Sequence, residues 1–235
     1  MKVVREFSRF AHEYDKYNVI QKEVAKKLCC FLKDKAYKEI IDIGAGDGAI
    51  YKNIMARKIQ FDSFTALDFS SEMLDLHPKD SAVTKVCSNF NSPKFVLDLE
   101  SINYDFVISS SALQWSSNLN LTLEMLSKLS KTFYFSFFTS GTFKTLHQTA
   151  LIDSPIYTRD EIISALEVHF EFEYEVVNYL LDFNSVYEML RYIKKSGVSS
   201  GVKQLSYCQT KSLILNYPLK YLEFEVLFVK AVVKK

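Results

Sequence analysis

The stretch Ile40-Ile41-Asp42-Ile43-Gly44-Ala45-Gly46-Asp47-Gly48 constrains this chain more than any other. Three isoleucines around one acid spell a short strand buried on both faces. Three glycines at alternate positions follow, and Ala49-Ile50-Tyr51 opens a helix. Such a turn brings bare backbone and the helix's unpaired N–H groups against a ligand. A second strand, Phe64-Thr65-Ala66-Leu67, then ends in Asp68. A carboxylate at that place can take both hydroxyls of a ribose. Strand, glycine turn, helix, strand and acid together predict a doubly wound α/β fold. Spacing alone leaves the nucleotide open, because Gly44, Gly46 and Ala49 also satisfy the dinucleotide pattern G-x-G-x-x-G/A with Asp68 as its acid.

The 235 residues, 48% of them hydrophobic, suffice for one α/β domain with an embellishment. The sequence divides into a helical lid or prelude (1–35), a Rossmann-like core (36–183), a helical insertion (184–216) and a final strand (217–235). A net charge of +1 argues against a general nucleic-acid surface. No apolar run approaches membrane-span length, and Met1-Lys2-Val3-Val4-Arg5-Glu6 is no signal peptide, so a cytoplasmic protein is expected. Cys29, Cys30, Cys87 and Cys208 lack metal or redox spacing, with Cys87 expected in a buried strand. The four histidines are scattered, and no metal site is predicted.

Along the chain, Asn18 and Gln21 are placed to form a capping box for a helix whose Ile20, Val24, Leu28, Phe31 and Leu32 keep one face apolar. The segment before it, with Tyr14, Asp15 and Tyr17, is aromatic and polar without a stripe, which suits a lid. The helix after the glycine turn is expected to bury Ile50, Ile54 and Met55. Further strands are expected at 82–87, 104–108, 132–138, 170–181 and 221–233, which makes seven in one mostly parallel sheet. Thr158 with Glu161 predicts a second capping box. In the insertion, Asn184 or Ser185 caps a helix that Gly197 ends. Its Val186, Met189, Leu190 and Ile193 face inward, while Tyr187, Arg191, Lys194 and Lys195 share the opposite face.

Asp42-x-Gly44-x-Gly46-x-Gly48 followed by Asp68-Phe69-Ser70-Ser71-Glu72-Met73-Leu74 resembles the first two motifs of class I S-adenosylmethionine-dependent methyltransferases. The resemblance implies that Asp42, Gly44, Ala45 and Gly46 carry the methionine portion of the cofactor. Asp68 would hold its ribose and Phe69 would cover its adenine. An acid usually ends the third strand of that family. Here Asn89 with Phe90 fits the spacing better than Asp98 does, and an amide keeps an acceptor for the adenine amine. Small residues at the end of the fourth strand, Ser109 and Ser110, permit close approach to the sulfonium.

Within that class, five segments are similar to the malonyl-acyl-carrier-protein O-methyltransferases of biotin synthesis. They are Phe7-Ser8-Arg9-Phe10-Ala11 through Tyr14-Asp15, Ala112-Leu113-Gln114-Trp115, Ser140-Gly141-Thr142-Phe143-Lys144-Thr145-Leu146, Leu190-Arg191-Tyr192-Ile193-Lys194-Lys195-Ser196-Gly197, and Tyr217 to Val226. Phe143 and Thr145 depart from the family pattern in the third. The resemblance implies a lid carrying Tyr14 and Tyr17 and a methyl-transfer site bordered by Gln114 and Trp115. It also implies an acidic carrier-protein partner for Arg191, Lys194 and Lys195, with malonyl coenzyme A as a further candidate substrate. Rival readings are another small-molecule methyltransferase on the same scaffold, or a methyltransferase-like assembly protein without turnover.

Overall fold

Seven apolar runs become seven strands of one sheet, ordered β3-β2-β1-β4-β5-β7-β6. The computed structural model describes residues 17–97, 99, 102–195 and 205–234. Strands β1 (Tyr37–Ile43), β2 (Phe61–Asp68), β3 (Val83–Cys87), β4 (Phe106–Ser110) and β5 (Thr132–Phe138) run parallel. β7 (Tyr221–Val233) lies antiparallel between β5 and β6 (Phe170–Asp182). The order reverses between β1 and β4, and a crevice at the carboxyl ends of those two strands is where such sheets bind ligands.

Residue alternation sorts the strands into two cores, one on each sheet face. Phe133, Phe135 and Phe137 of β5 join Ile41, Ile43 and Val107 on one side, under α4 (Leu119–Ser127) and α6 (Arg159–His169). Phe133 meets Phe170 edge-on at 4.8 Å between centroids. On the other side Ile40, Phe106, Tyr134 and Phe138 pack beneath α1 (Val19–Cys29) and α2 (Ala49–Ala56). Each fully buried phenylalanine contributes on the order of 1.5–3 kcal/mol.

Three local expectations need correction. Met55 is 46% exposed, and Tyr51 takes the inward place beside Ile50 and Ile54, because a helix this short turns only one narrow face inward. Cys87 is exposed, since β3 is the edge of the sheet, whereas the buried cysteine is Cys29 on α1. Asn18 precedes α1 without capping it. By contrast, Thr158 and Glu161 form a complete capping box on α6.

The remaining helices are α3 (Ser71–Leu76), α5 (Lys144–Ala150), α7 (Val186–Lys195) and α8 (Tyr207–Asn216), the last two inserted between β6 and β7. Ser185 caps α7 through the Glu188 amide at 3.2 Å, and Met189, Tyr192 and Ile193 bury its inner face. Gly197 and its expected stop lie outside the described residues. The first turn of α5 and the turn before it are tied to β7: the Thr145 hydroxyl donates to Glu223 at 2.5 Å, and Thr139 donates to Glu225. Thr145, a departure from the family pattern, thus receives its carboxylate partner from the neighbouring strand.

Candidate active site

The turn after β1 is fixed from two sides. The amides of Gly44 and Ala45 donate to the Leu67 carbonyl at 2.8 and 2.9 Å, which binds the turn to the end of β2. Gly44 has φ +76°, and a Cβ there would stand 2.3 Å from the Cβ of Ala112 in the loop after β4. Only glycine lets those two loops close on each other. Gly46, with φ +56°, would direct a Cβ toward nothing nearer than the Met73 methyl at 3.5 Å. Its open side is the crevice.

That crevice opens to solvent. Asp42, Gly44, Ala45, Gly46, Asp68, Phe69, Phe90, Ser110, Gln114 and Trp115 all line it. Asp68 is held rigidly: one carboxylate oxygen accepts from the Gly46 amide and the other from the Ser70 amide, each at 2.9 Å. A carboxylate has about four acceptor positions, so it can still accept from a ligand hydroxyl. Burial raises its pKa, and the amides of Ser70, Gly46 and Phe69 oppose that rise.

Asp42 is more extreme. It is 1% exposed, and neither carboxylate oxygen has a partner among the described residues. Burial first, then the charges of Asp68 and Asp47, push its pKa well above the ordinary carboxylate range. A bound cation would relieve all three effects, so the donor set fits a ligand carrying an ammonium or sulfonium group.

The wall opposite is the turn Leu113–Trp115, anchored by fully buried Leu113. The Tyr157 hydroxyl donates to the Ser116 carbonyl at 2.8 Å, and Asn91 accepts from the Ser117 amide at 2.7 Å. Ser111 adopts φ +57°, rare for a residue with a side chain, and its buried hydroxyl has no partner among the described residues. Gln114 donates to the Ser111 carbonyl at 2.7 Å and leaves its own oxygen unpartnered within that set.

Other predicted site residues lie elsewhere. Ser109 donates to the Ile43 carbonyl at 2.7 Å inside the sheet, because strand alternation turns it away from the face that Ser110 shows. Asn89 is not in the lining; its side chain accepts from the Asn91 amide at 2.9 Å and shapes the turn after β3. Tyr17 also stays off the lining and packs its ring 6.1 Å from that of Tyr192. Tyr14 and Asp98 fall outside the described residues. Of the basic group, Arg191 is exposed on α7 and does not line the crevice, and α7 ends at Lys195. Asn18, Gln21 and Ile156 line the crevice although no motif marks them. Among the described residues, no cluster of three or more His, Cys, Asp or Glu could hold a metal ion.

A family model described as a methyltransferase domain matches residues 41–132. A malonyl-[acyl-carrier protein] O-methyltransferase of Acetivibrio thermocellus is 30% identical, with 90% of this chain and 83% of that protein covered. The chain belongs to the malonyl-acyl-carrier-protein O-methyltransferase family. A second such relative, from Neorickettsia risticii, is 28% identical over 83% of this chain and 81% of its own length. In fold, this methyltransferase is similar to a chain from the solved complex of the Haloferax volcanii Trm112 methyltransferase activator with a methyltransferase. That match has TM-score 0.65 at 15% identity, with 97% of this chain and 98% of that chain covered. This methyltransferase is therefore an enzyme of class I, dependent on S-adenosylmethionine. Among its described residues, no helix is long and apolar enough to cross a membrane.

Proposed function

We propose that this enzyme methylates the free carboxylate of a malonyl group carried on an acyl carrier protein, as a step of biotin precursor synthesis. The observation that carries this reading is the similarity to relatives of that name along most of the chain. The crevice chemistry agrees with it. Among the described residues, the only titratable side chains that line the crevice are Asp42, Asp47 and Asp68. None is a base poised to deprotonate an alcohol. A carboxylate acceptor is already ionised at neutral pH and needs no such base.

Bound S-adenosylmethionine supplies an electrophilic methyl group. The chain's own residues hold and orient the reactants. Asp68 accepts from the ribose hydroxyls, Phe69 and Phe90 flank the adenine, and the glycine turn with Asp42 receives the methionine portion. The Leu113–Trp115 turn walls the reacting end, which excludes water and aligns the acceptor oxygen with the methyl group. Exposed Arg191, with Lys194 and Lys195 on the same helix, supplies cations for an acidic carrier protein.

The test is turnover with purified malonyl carrier protein. Release of S-adenosylhomocysteine in step with a methyl ester on the malonyl group is the expected outcome. Release with unrelated hydroxyl or amine acceptors, and none with the malonyl thioester, would place the enzyme elsewhere among class I methyltransferases.

A further inference from the structure

Two polar side chains at the start of α1 behave unlike helix-capping residues. Asn18 stands at the N-cap with φ −93° and ψ 33°, outside the extended conformation from which an Asn side chain reaches the next turn, and it makes no capping hydrogen bond. Its side chain is instead packed inward, 1% exposed. Gln21, three residues on, does not reach back to the N-cap as a capping box requires. The Asn18 Oδ1 and the Gln21 Oε1 are both buried without a partner among the described residues. Both residues line the crevice, on the same lining as the unpartnered carboxylate of Asp42 and the glycine turn.

A buried acceptor left unpaired costs on the order of 1–3 kcal/mol, and a forgone N-cap costs on the order of 1 kcal/mol more. A sequence that leaves two buried acceptors one turn apart, and forgoes a cap at the first of them, has aimed them at a ligand. The ligand group must be a donor to match three sets of orphan oxygens, and cationic to satisfy Asp42. An amide also presents N–H donors, which suits a group with an anionic partner attached. An α-amino-acid zwitterion meets every condition.

We infer that Asn18 and Gln21 are cofactor-specificity residues: with Asp42 they recognise the amino-acid end of S-adenosylmethionine, so α1 belongs to the binding site. This rests on the cofactor reading above, and deepens it. It also explains why α1 docks against α2, the helix that the glycine turn begins.

The test compares two thioethers by calorimetry on the full chain. S-adenosylhomocysteine keeps the amino-acid end, and 5′-methylthioadenosine lacks it. Asn18→Ala and Gln21→Ala should each weaken S-adenosylhomocysteine about tenfold and leave methylthioadenosine within about twofold. Asn18→Ser keeps a small polar side chain at the start of α1, and with its fold confirmed by circular dichroism it should lose the same selectivity. Unchanged S-adenosylhomocysteine affinity, or equal losses for both thioethers, would overturn the inference. A wild-type chain that bound neither thioether would remove the cofactor reading, and this assignment with it.

Discussion

At the scale of single residues, the site is set by carboxylates whose surroundings differ. Asp68 is oriented by two backbone amides, so its loss does more than remove a ligand contact: Asp68→Ala would leave the Gly46 and Ser70 amides without that acceptor. Asp68→Asn is the cleaner probe. Losing charge-assisted hydrogen bonds costs about 1.5–3 kcal/mol, so we predict S-adenosylmethionine affinity lower by about one to two decades, with a smaller fall in melting temperature because the Asn NH2 group faces one of the two amides. Wild-type affinity in calorimetry would take Asp68 out of the site. Asp42 gives a pH signature. Its folded pKa is raised by burial, then by Asp68 and Asp47, so the folded chain keeps a proton that the unfolded chain has already lost. The cofactor-free protein should therefore lose stability as pH rises above about 4, up to the folded pKa. A cationic ligand reverses the preference, so binding should expel a proton at pH values between the unfolded and the folded pKa of Asp42. Calorimetry in buffers of different ionisation enthalpy reads that proton, and Asp42→Asn should abolish it. Zero release by the wild type would show that Asp42 is already ionised. The sequence disclosed Asp42 and Asp68 because strand ends and glycine spacing mark them. It hid Asn18, Gln21 and Ser111, because a capping pattern reads the same whether the side chain folds back or turns inward.

At the scale of elements, two glycines of one turn should fail differently. Alanine at Gly44 meets Ala112 at 2.3 Å with φ +76°, so the loops after β1 and β4 must separate. We predict a large loss of melting temperature as well as of binding. Alanine at Gly46 meets only the flexible Met73 methyl at 3.5 Å, so its cost is largely the strained φ, about 1–2 kcal/mol. Its methyl group projects at the crevice, and binding should fall far more than stability. Parallel losses in thermal melts and cofactor titrations for both variants would refute the distinction. The elements themselves were largely legible. β5 is a run of aromatics too short for a helix face, and α6 announces its own capping box. The misreadings came from position in the sheet. Cys87 looks buried in a sequence that does not reveal β3 as an edge, and Ser109 and Ser110 trade roles on a one-residue question of pleat.

At the scale of the whole molecule, the sheet order follows from parallel strands joined by right-handed crossovers, with a final antiparallel pair. The position of the insertion relative to the crevice needed the structure. Met189, Tyr192 and Ile193 seat α7 on the same core that Ile156 packs against, and Ile156 also lines the crevice. A partner held by α7 would thus rest on the same core that backs the crevice. Arg191 faces solvent there, with Lys194 and Lys195 one turn onward in the same helix. An acidic carrier protein should associate faster at low salt, because its attraction to these cations is screened within a Debye length of about 10 Å at 0.1 M. Arg191→Glu with Lys194→Glu should then raise KM for the malonyl carrier protein strongly and flatten its salt dependence. Turnover of malonyl coenzyme A or a malonyl pantetheine thioester should stay near the wild-type value, as should cofactor affinity, because Arg191 does not line the crevice. Equal loss on carrier protein and small thioester, with the fold intact by circular dichroism, would make α7 part of the catalytic wall instead. The carrier's footprint would then have to lie on another face around the crevice mouth.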